Sequence, residues 1–490
     1  LSSDSHSNFE RVLSKKDITA LAFGAMIGWG WVVLTGEWIR TAGMMGAITA
    51  FALGGIMVLF VGLTYAELTS AMPKCGGEHV FSHRALGSNA SFVCTWAIIL
   101  GYVSVVAFEA VAFPTVLEYL FSSYLKGYMY TIAGYDVYLS WVLVGSASSI
   151  IITVVNYFGV KTAAFLQGVV TFLIACIGIT LFGGATFNGY AQNAGPLFVN
   201  GKSGIFAVAV MTPFMYVGFD VIPQAAEEIN VPFKMIGKII VMSVVMAVAW
   251  YVMIIYSVSS SLGADQIASS GLVTADAMKA VFGGSSMASK IVILGGIGGI
   301  LTSWNSFFVG GSRAIYAMAE SGMLPSFLAR LHPKYKTPVN AIVLIGALST
   351  FAPLLGRSML VWLGNAGGLA IVVSYLMVSI SFVVLRKKEP EMPRPYRVKK
   401  GMFVGITAVV LCALMVLIYL PGGPASLIWP YEWGIILGWC VLGVVFYIWA
   451  KTMSSRQRID CTETGKKVEM EKAFAQNKSQ YSKMASFEND

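Results

Sequence analysis

Gly24-Ala25-Met26-Ile27-Gly28-Trp29-Gly30 sits inside an apolar stretch at 18–40, and Phe214-Met215-Tyr216-Val217-Gly218-Phe219-Asp220-Val221-Ile222-Pro223 sits inside another at 203–226. Each places helix-interrupting residues where a helix would otherwise run through. Hydrocarbon offers no water to a bare peptide group, so an interrupted helix survives only where it faces protein or a cavity. A pair of interruptions, one in each half of the chain, points to a transporter's substrate site.

The membrane class follows from composition. Hydrophobic residues make up 57% of the 490 and charged residues 12%, against roughly 25% charged in a soluble domain. About 20 apolar residues cross a bilayer as a helix. On that rule the chain holds twelve candidate spans: 18–40, 44–72, 90–121, 137–157, 161–185, 203–226, 236–260, 286–318, 338–356, 359–386, 401–421 and 431–453. The spans at 90–121 and 286–318 are long, so each tilts or carries a turn outside the membrane. With residues 1–17 in the cytoplasm, the inner loops take most of the Lys and Arg. The outer loops keep only Arg40, Lys126, Lys202, Lys279, Lys290 and Arg357. Positive residues stay inside, so both termini are expected there and the membrane is the cell's plasma membrane. The net charge of +9 then reflects this bias, with attraction to anionic inner lipid as a secondary reading, and nucleic acid is not an expected partner. No cleavable signal is expected, because residues 1–16 are polar and the first apolar run is too long for a signal-peptide core. Residues 454–490 read as a disordered cytoplasmic tail.

Cys75, Cys94, Cys176, Cys412, Cys440 and Cys461 avoid the outer loops and lack metal-site spacing. They read as small buried apolar residues or cytoplasmic thiols. No metal and no cofactor are expected. The chain has neither His-Glu-x-x-His nor Gly-x-Ser-x-Gly, and only His6, His79, His83 and His332, so an enzyme is not expected either.

Three stretches resemble one family. Tyr65-Ala66-Glu67-Leu68 with Met72-Pro73-Lys74-Cys75-Gly76-Gly77-Glu78-His79 is similar to the segment after the second span of amino acid–polyamine–organocation permeases. Gly218-Phe219-Asp220 with Glu227-Glu228-Ile229-Asn230-Val231-Pro232 resembles that family's sixth span and its exit, above all in the cationic amino acid branch. Arg313-Ala314-Ile315-Tyr316-Ala317-Met318-Ala319-Glu320-Ser321-Gly322-Met323-Leu324-Pro325, followed by His332-Pro333-Lys334-Tyr335-Lys336-Thr337-Pro338, is similar to its eighth span and inner loop. The likeness runs from about 15 to 450. It implies an all-α membrane protein of the LeuT type. Residues 18–185 (spans 1–5) and 203–386 (spans 6–10) would be inverted repeats, 401–453 would add spans 11 and 12, and helices 1 and 6 would unwind mid-membrane. Members are secondary carriers of amino acids and related amines.

The residues give the same site a physical rationale. A half-helix starting near Trp29 offers free N–H groups and a positive dipole end to a carboxylate. A half-helix ending before Gly218 offers unpaired carbonyls to an ammonium. By resemblance, Met26, Ile27, Gly28, Trp29 and Gly30 hold the carboxylate and part of the amine, while Phe214, Val217 and Gly218 complete the amine site, Phe214 also serving as an outer lid. The other reading is that the glycines only allow close helix packing. Trp29 departs from the family, which places a small residue there, and Trp31 replaces an aliphatic. The Trp29 indole either shrinks the cavity or faces elsewhere. Trp304 adds a third indole near the predicted core.

Ionisable residues in lipid are functional candidates. Lys161, in Asn156-Tyr157-Phe158-Gly159-Val160-Lys161-Thr162, matches the family's fifth-span Lys, which reaches the unwound first span. The resemblance puts Ser303 beside it. The pair would take the place of a sodium ion or carry a coupled proton; the alternative is a Lys snorkelling at the inner edge. Thr302 with Ser303 would be the sodium-ligand alternative. Asp220 would pair with a cationic substrate group, relay a proton, or cap the second half of span 6. Glu109 would face the cavity and bind a second amine, or be paired structurally. Glu37 and Glu67 read as structural, and Glu227, Glu228 and Arg313 as an inner salt-bridge gate or as solvated and helix-capping groups.

The expected function is therefore a sodium-independent secondary carrier of amino acids or related amines, proton-coupled or exchanging, working by alternating access. Its partners are the small solute, membrane lipid and protons. The alternative is an amine or polyamine carrier that uses Asp220 and Glu109. A sensor would need a structured cytoplasmic module, and a channel a continuous polar lining. With no cysteine between the third and fourth spans, a covalent partner subunit is not expected.

Overall fold

The computed structural model describes residue 9 and residues 11–121 and 123–452, apart from the side chains of 160–166 and 191. The tail at 454–490, Cys461 and the Lys161 side chain therefore lie outside the described residues.

In chain order the helices are α1 (Lys15–Met26), α2 (Gly30–Val33), α3 (Thr35–Ala42), α4 (Met44–Ala71), α5 (Glu78–Leu86), α6 (Ser88–Leu120), α7 (Leu139–Tyr157), α8 (Val160–Asn188), α9 (Gly201–Ala209), α10 (Thr212–Tyr216), α11 (Val221–Gln224), α12 (Phe233–Ser261), α13 (Ala264–Ser269), α14 (Val273–Val281), α15 (Ser286–Glu320), α16 (Val339–Phe351), α17 (Met359–Lys388) and α18 (Gly401–Tyr419), then α19 (Tyr431–Thr452). Among the described residues, ten helical segments are long and apolar enough to cross a membrane, eleven if the bent run Lys15–Ala42 is one span. Val339–Leu355 is a shorter apolar helix. The chain is a multi-pass membrane protein. The two long spans are continuous helices of 33 and 35 residues.

Two features differ from the helical reading. A hairpin of β1 (Tyr128–Ile132) and β2 (Tyr135–Tyr138) fills the connection after α6. Aromatic and β-branched residues around an Ala133-Gly134 turn suit that form. The first span also changes direction by 64° at Leu34, beyond the glycines. There the Thr35 hydroxyl donates to the Trp31 carbonyl at 2.7 Å, and Gly36 lies so close to α14 that a Cβ would stand 2.4 Å from Val273.

Close packing sets the helix positions. A Cβ on Gly54 would meet Thr212 of α10, and one on Gly55 would meet Val248 of α12 at 2.7 Å. These small residues of α4 let neighbouring backbones approach, which is how helices associate where lipid is as apolar as the side chains. α1 packs against α8, α12 and α15, and α6 against α15 and α17. A capping box starts α1: Ser14 N–H donates to Asp17 at 2.9 Å, and Asp17 N–H returns to the Ser14 hydroxyl.

The described cysteines are all free; Cys75, Cys94 and Cys412 are buried, whereas Cys176 and Cys440 are exposed. Glu37 pairs with Arg40 near the end of α3. Glu67 is fully buried and gathers the ends of α4 and α17 with the loop that follows. It accepts from Arg386 Nε at 2.9 Å and the Val398 N–H at 2.7 Å, and pairs with Arg394 Nε at 3.0 Å. Removing one member of such a group strands the others without countercharge. Glu67→Ala is expected to cost about 3–5 kcal/mol, read as a lowered unfolding temperature in detergent, while Glu37→Ala, whose pair is half exposed, leaves it nearly unchanged.

Candidate functional site

The helical hydrogen bonding of α1 stops at Ile27, whose N–H donates to Phe23 at 3.1 Å. It resumes when Val32 N–H donates to the Trp29 carbonyl at 2.9 Å. Among the described residues no backbone carbonyl accepts from the N–H groups of Gly28, Trp29 and Gly30, so three donors converge with no main-chain partner. The carbonyls ending α1 are held from outside. Tyr251 of α12 donates its hydroxyl to Met26 at 2.8 Å, Thr302 of α15 donates to Gly24 at 3.2 Å, and Ser306 of α15 donates to Leu21 at 3.1 Å.

The second interruption follows α10. Val217 turns extended and Gly218 has φ +140°, a conformation that side chains other than hydrogen rarely adopt. Gly218 N–H donates to Asp220 Oδ1 at 2.7 Å instead of running back along the helix. The Phe214 carbonyl, four residues earlier, thereby loses its helical donor. Asp220 Oδ2 accepts from the Tyr102 hydroxyl at 3.0 Å. Both oxygens of this buried carboxylate are thus engaged in shaping the turn. A Cβ on Gly218 would stand 2.7 Å from Ala25 Cβ and 3.0 Å from Met26 N, so the two interruptions touch.

Other candidates cluster at the same place. Gly28 packs against Glu109 of α6 and Ser303 of α15: a Cβ there would lie 2.8 Å from Glu109 Oε1 and 3.0 Å from Ser303 Oγ. Glu109 is 2% exposed, and its Oε2 has no hydrogen-bond partner among the described residues. Ile27 and Val217 are buried. Phe214 packs on Phe108 with ring centroids 5.4 Å apart and lies over Gly367 of α17. The Trp29 indole lies against α15: a Cβ on Gly296 would stand 1.9 Å from its Cζ3. Trp31 meets Trp250 edge-on at 5.3 Å, and Trp304 is fully buried.

Thr302 donates to carbonyls of Gly24 and Gly299. Lys161 lies in α8, and what its side chain meets lies outside the described residues. Toward the other end of α15, Arg313 and Glu228 form a buried pair at 2.8 Å, while Glu227 lies beside Cys75 and Lys74. Residues 12–13 cover this pair: the N–H groups of Val12 and Leu13 both donate to the Glu228 carbonyl at 2.9 Å.

Several residues of the site carry no sequence signal. Tyr251 and Tyr102 belong to no motif, yet Tyr251 braces α1 and Tyr102 braces Asp220; Met215, inside the second interrupted stretch, meets the first, its Sδ 2.6 Å from where a Cβ on Gly30 would stand. Gly296 and Gly299 stand out only as part of a glycine run. A Cβ at Gly299 would meet the Gly28 carbonyl at 2.7 Å.

Comparison with known proteins places the chain among transporters. A branched-chain amino acid permease of Bacillus subtilis (strain 168) is 28% identical over 420 residues, covering 84% of this chain and 88% of the relative. A methylthioribose transporter of the same organism is 28% identical over 455 residues, covering 89% and 92%. Human cationic amino acid transporter 4 is 26% identical over 405 residues, covering 79% of this chain and 61% of the relative. Residues 13–449 match a family described as amino acid permease. The chain belongs to the amino acid permease family, within the amino acid–polyamine–organocation superfamily, whose members are transporters and not enzymes.

Proposed function

We propose that the protein is a sodium-independent secondary carrier of amino acids or closely related amines in the plasma membrane. It works by alternating access, with proton coupling or exchange, and both termini lie in the cytoplasm. Its fold is of the LeuT type: 18–185 and 203–386 are inverted repeats, 401–453 is appended, and the first and sixth spans unwind mid-membrane. The observation that carries this reading is the contact of Gly218 with Met26, which brings three free N–H donors and a freed carbonyl to one place. The donors of Gly28, Trp29 and Gly30 receive the substrate carboxylate. The Phe214 carbonyl, with the adjoining turn at Val217 and Gly218, receives the ammonium, and Glu109 supplies the negative charge nearby. Met26 and Ile27 line the same turn, and Phe214 closes it from outside.

Asp220 acts in this reading by holding the turn, because its oxygens already accept from Gly218 and Tyr102. That favours the amino acid over the polyamine alternative, which needs Asp220 as a free ligand beside Glu109. Lys161 and Ser303 form the coupling site by resemblance. The B. subtilis relative named for branched-chain amino acids supports an uncharged, apolar side chain in the substrate.

Three outcomes test the reading. In a thermal-shift screen, compounds bearing both a free carboxylate and an amine stabilise the purified protein, by about 2.7 kcal/mol at one hundred times Kd; stabilisation by amines without a carboxylate transfers the assignment to the polyamine alternative. Lys161→Ala loses uptake or its pH dependence in proteoliposomes; a variant with an unchanged pH profile removes Lys161 from the coupling site. Gly296→Ala forces a methyl into the Trp29 indole and costs about 1–3 kcal/mol. Adding Trp29→Ala recovers part of that loss, and the double-mutant coupling energy measures the contact.

A further inference from the structure

Glu78, at the start of α5, is fully buried outside the substrate site. Its Oε2 accepts from Gln224 Nε2 at the end of α11. Its Oε1, the Gln224 Oε1 and the hydroxyls of Tyr65 and Tyr375 are all buried without a hydrogen-bond partner among the described residues. At the other end of α11 stands Asp220. The two carboxyl groups act on one another electrostatically, and Gln224, which holds Glu78, stands one turn from Asp220 along the short helix that follows the second interruption.

Among the described residues, no cation is set against them. Tyr65 faces the pair from α4, Cys94 and Tyr102 from α6, Gln224 from α11 and Tyr375 from α17. On α5 itself, His79 turns to Ser91 at 3.0 Å, and burial and His83 lower it to about 4, so it stays neutral near pH 7. On α15, Arg313 is engaged by Glu228. Two ionised carboxylates in such a place repel one another and lack a countercharge, so one of them keeps a proton. Asp220 is the acceptor with both oxygens served by donors. Glu78 has an oxygen free, and burial together with the Asp220 charge pushes its carboxyl well above the usual range.

We propose that Glu78 is a proton-binding site that couples proton movement to the position of α11. The proposal rests on the carrier reading and gives it a coupling residue distinct from Lys161. α11 is clamped to the loop before α5: Gly77, at φ +30°, lies against Pro223, a Cβ there standing 2.8 Å from the ring, and Gly76 N–H donates to the Gln224 carbonyl at 3.4 Å. With Glu78 neutral the clamp closes. When Glu78 gives its proton to water, the remaining carboxylate repels Asp220 and the clamp loosens. Proton binding and helix position are then linked, and each shifts the other by the same free energy.

The test uses the full chain in proteoliposomes with a trapped pH dye and a radiolabelled mixture of α-amino acids. Wild-type uptake is expected to carry protons inward and to rise as the outside is acidified. Glu78→Gln, a permanently neutral amide, is expected to lose the proton influx and flatten the pH profile while counterflow exchange persists. A Glu78→Gln protein that still moves protons with substrate overturns the proposal, as does wild-type flux that follows a sodium gradient or carries no proton. Should the variant not fold, carbodiimide labelling of wild type, mapped by mass spectrometry, decides: an adduct at Glu78 that fades as pH rises supports the proposal, and an unmodified Glu78 at every pH overturns it. Wild type with no substrate flux defeats the carrier reading and this inference with it, whereas flux without protons defeats the proton site alone.

Discussion

The structure turns on the approach of Gly218 to the end of α1. A residue with a side chain would neither adopt φ +140° readily nor fit 2.7 Å from Ala25. Around that contact lie the unpaired main-chain groups: the N–H donors of Gly28, Trp29 and Gly30, between α1 and the first turn of α2, and the carbonyl of Phe214 in α10. An interrupted helix leaves peptide groups that hydrocarbon cannot satisfy, so everything around the contact supplies partners. Tyr251, Thr302 and Ser306 serve the α1 carbonyls, and Asp220 serves the Gly218 N–H. What they leave unserved defines the site.

Trp29 shows how a large residue fits at the first interruption. The backbone at Trp29 belongs to the interruption, while its ring lies on α15 where Gly296 provides the space. A tryptophan and a glycine have in effect exchanged volume between two helices, as close packing requires. The neighbouring rings extend the arrangement outward. Trp38, Phe51, Tyr216 and Tyr251 stack or meet edge-on with centroids 4.5–5.7 Å apart, a rigid wall beside the first interruption.

Much of this was legible from residues alone, for a physical reason. Spans are long apolar runs, so α4, α6, α12 and α17 fall within a few residues of the limits read from hydropathy. The glycine and Asp220 interruptions are local in sequence and so equally readable. The bend at Leu34 was not, because it depends on Gly36 meeting Val273 more than two hundred residues away. The β-hairpin lies in a short connection where apolar periodicity says little. Glu109 stood out as a carboxylate in an apolar run, whereas Tyr102 and Tyr251 looked like ordinary aromatics until their hydroxyl partners were seen. Asp220 Oδ1 is held by the backbone N–H of Gly218, two residues earlier, a local contact that a free ligand and a helix cap share in sequence, so its role as ligand or as cap stayed open there.

The two buried acids at the interruptions divide the work by their partners. Asp220 has both oxygens committed and fixes the shape of the turn. Glu109 keeps Oε2 unpartnered beside Gly28, and in the proposed carrier it is the acceptor left for the solute's ammonium. A site that binds its solute through main-chain dipoles recognises the charges common to all amino acids and says nothing of their side chains. In the proposed carrier, discrimination then comes from the side chains beside the interruption, Phe214 and Glu109 among them, whereas the Trp29 ring is turned onto α15.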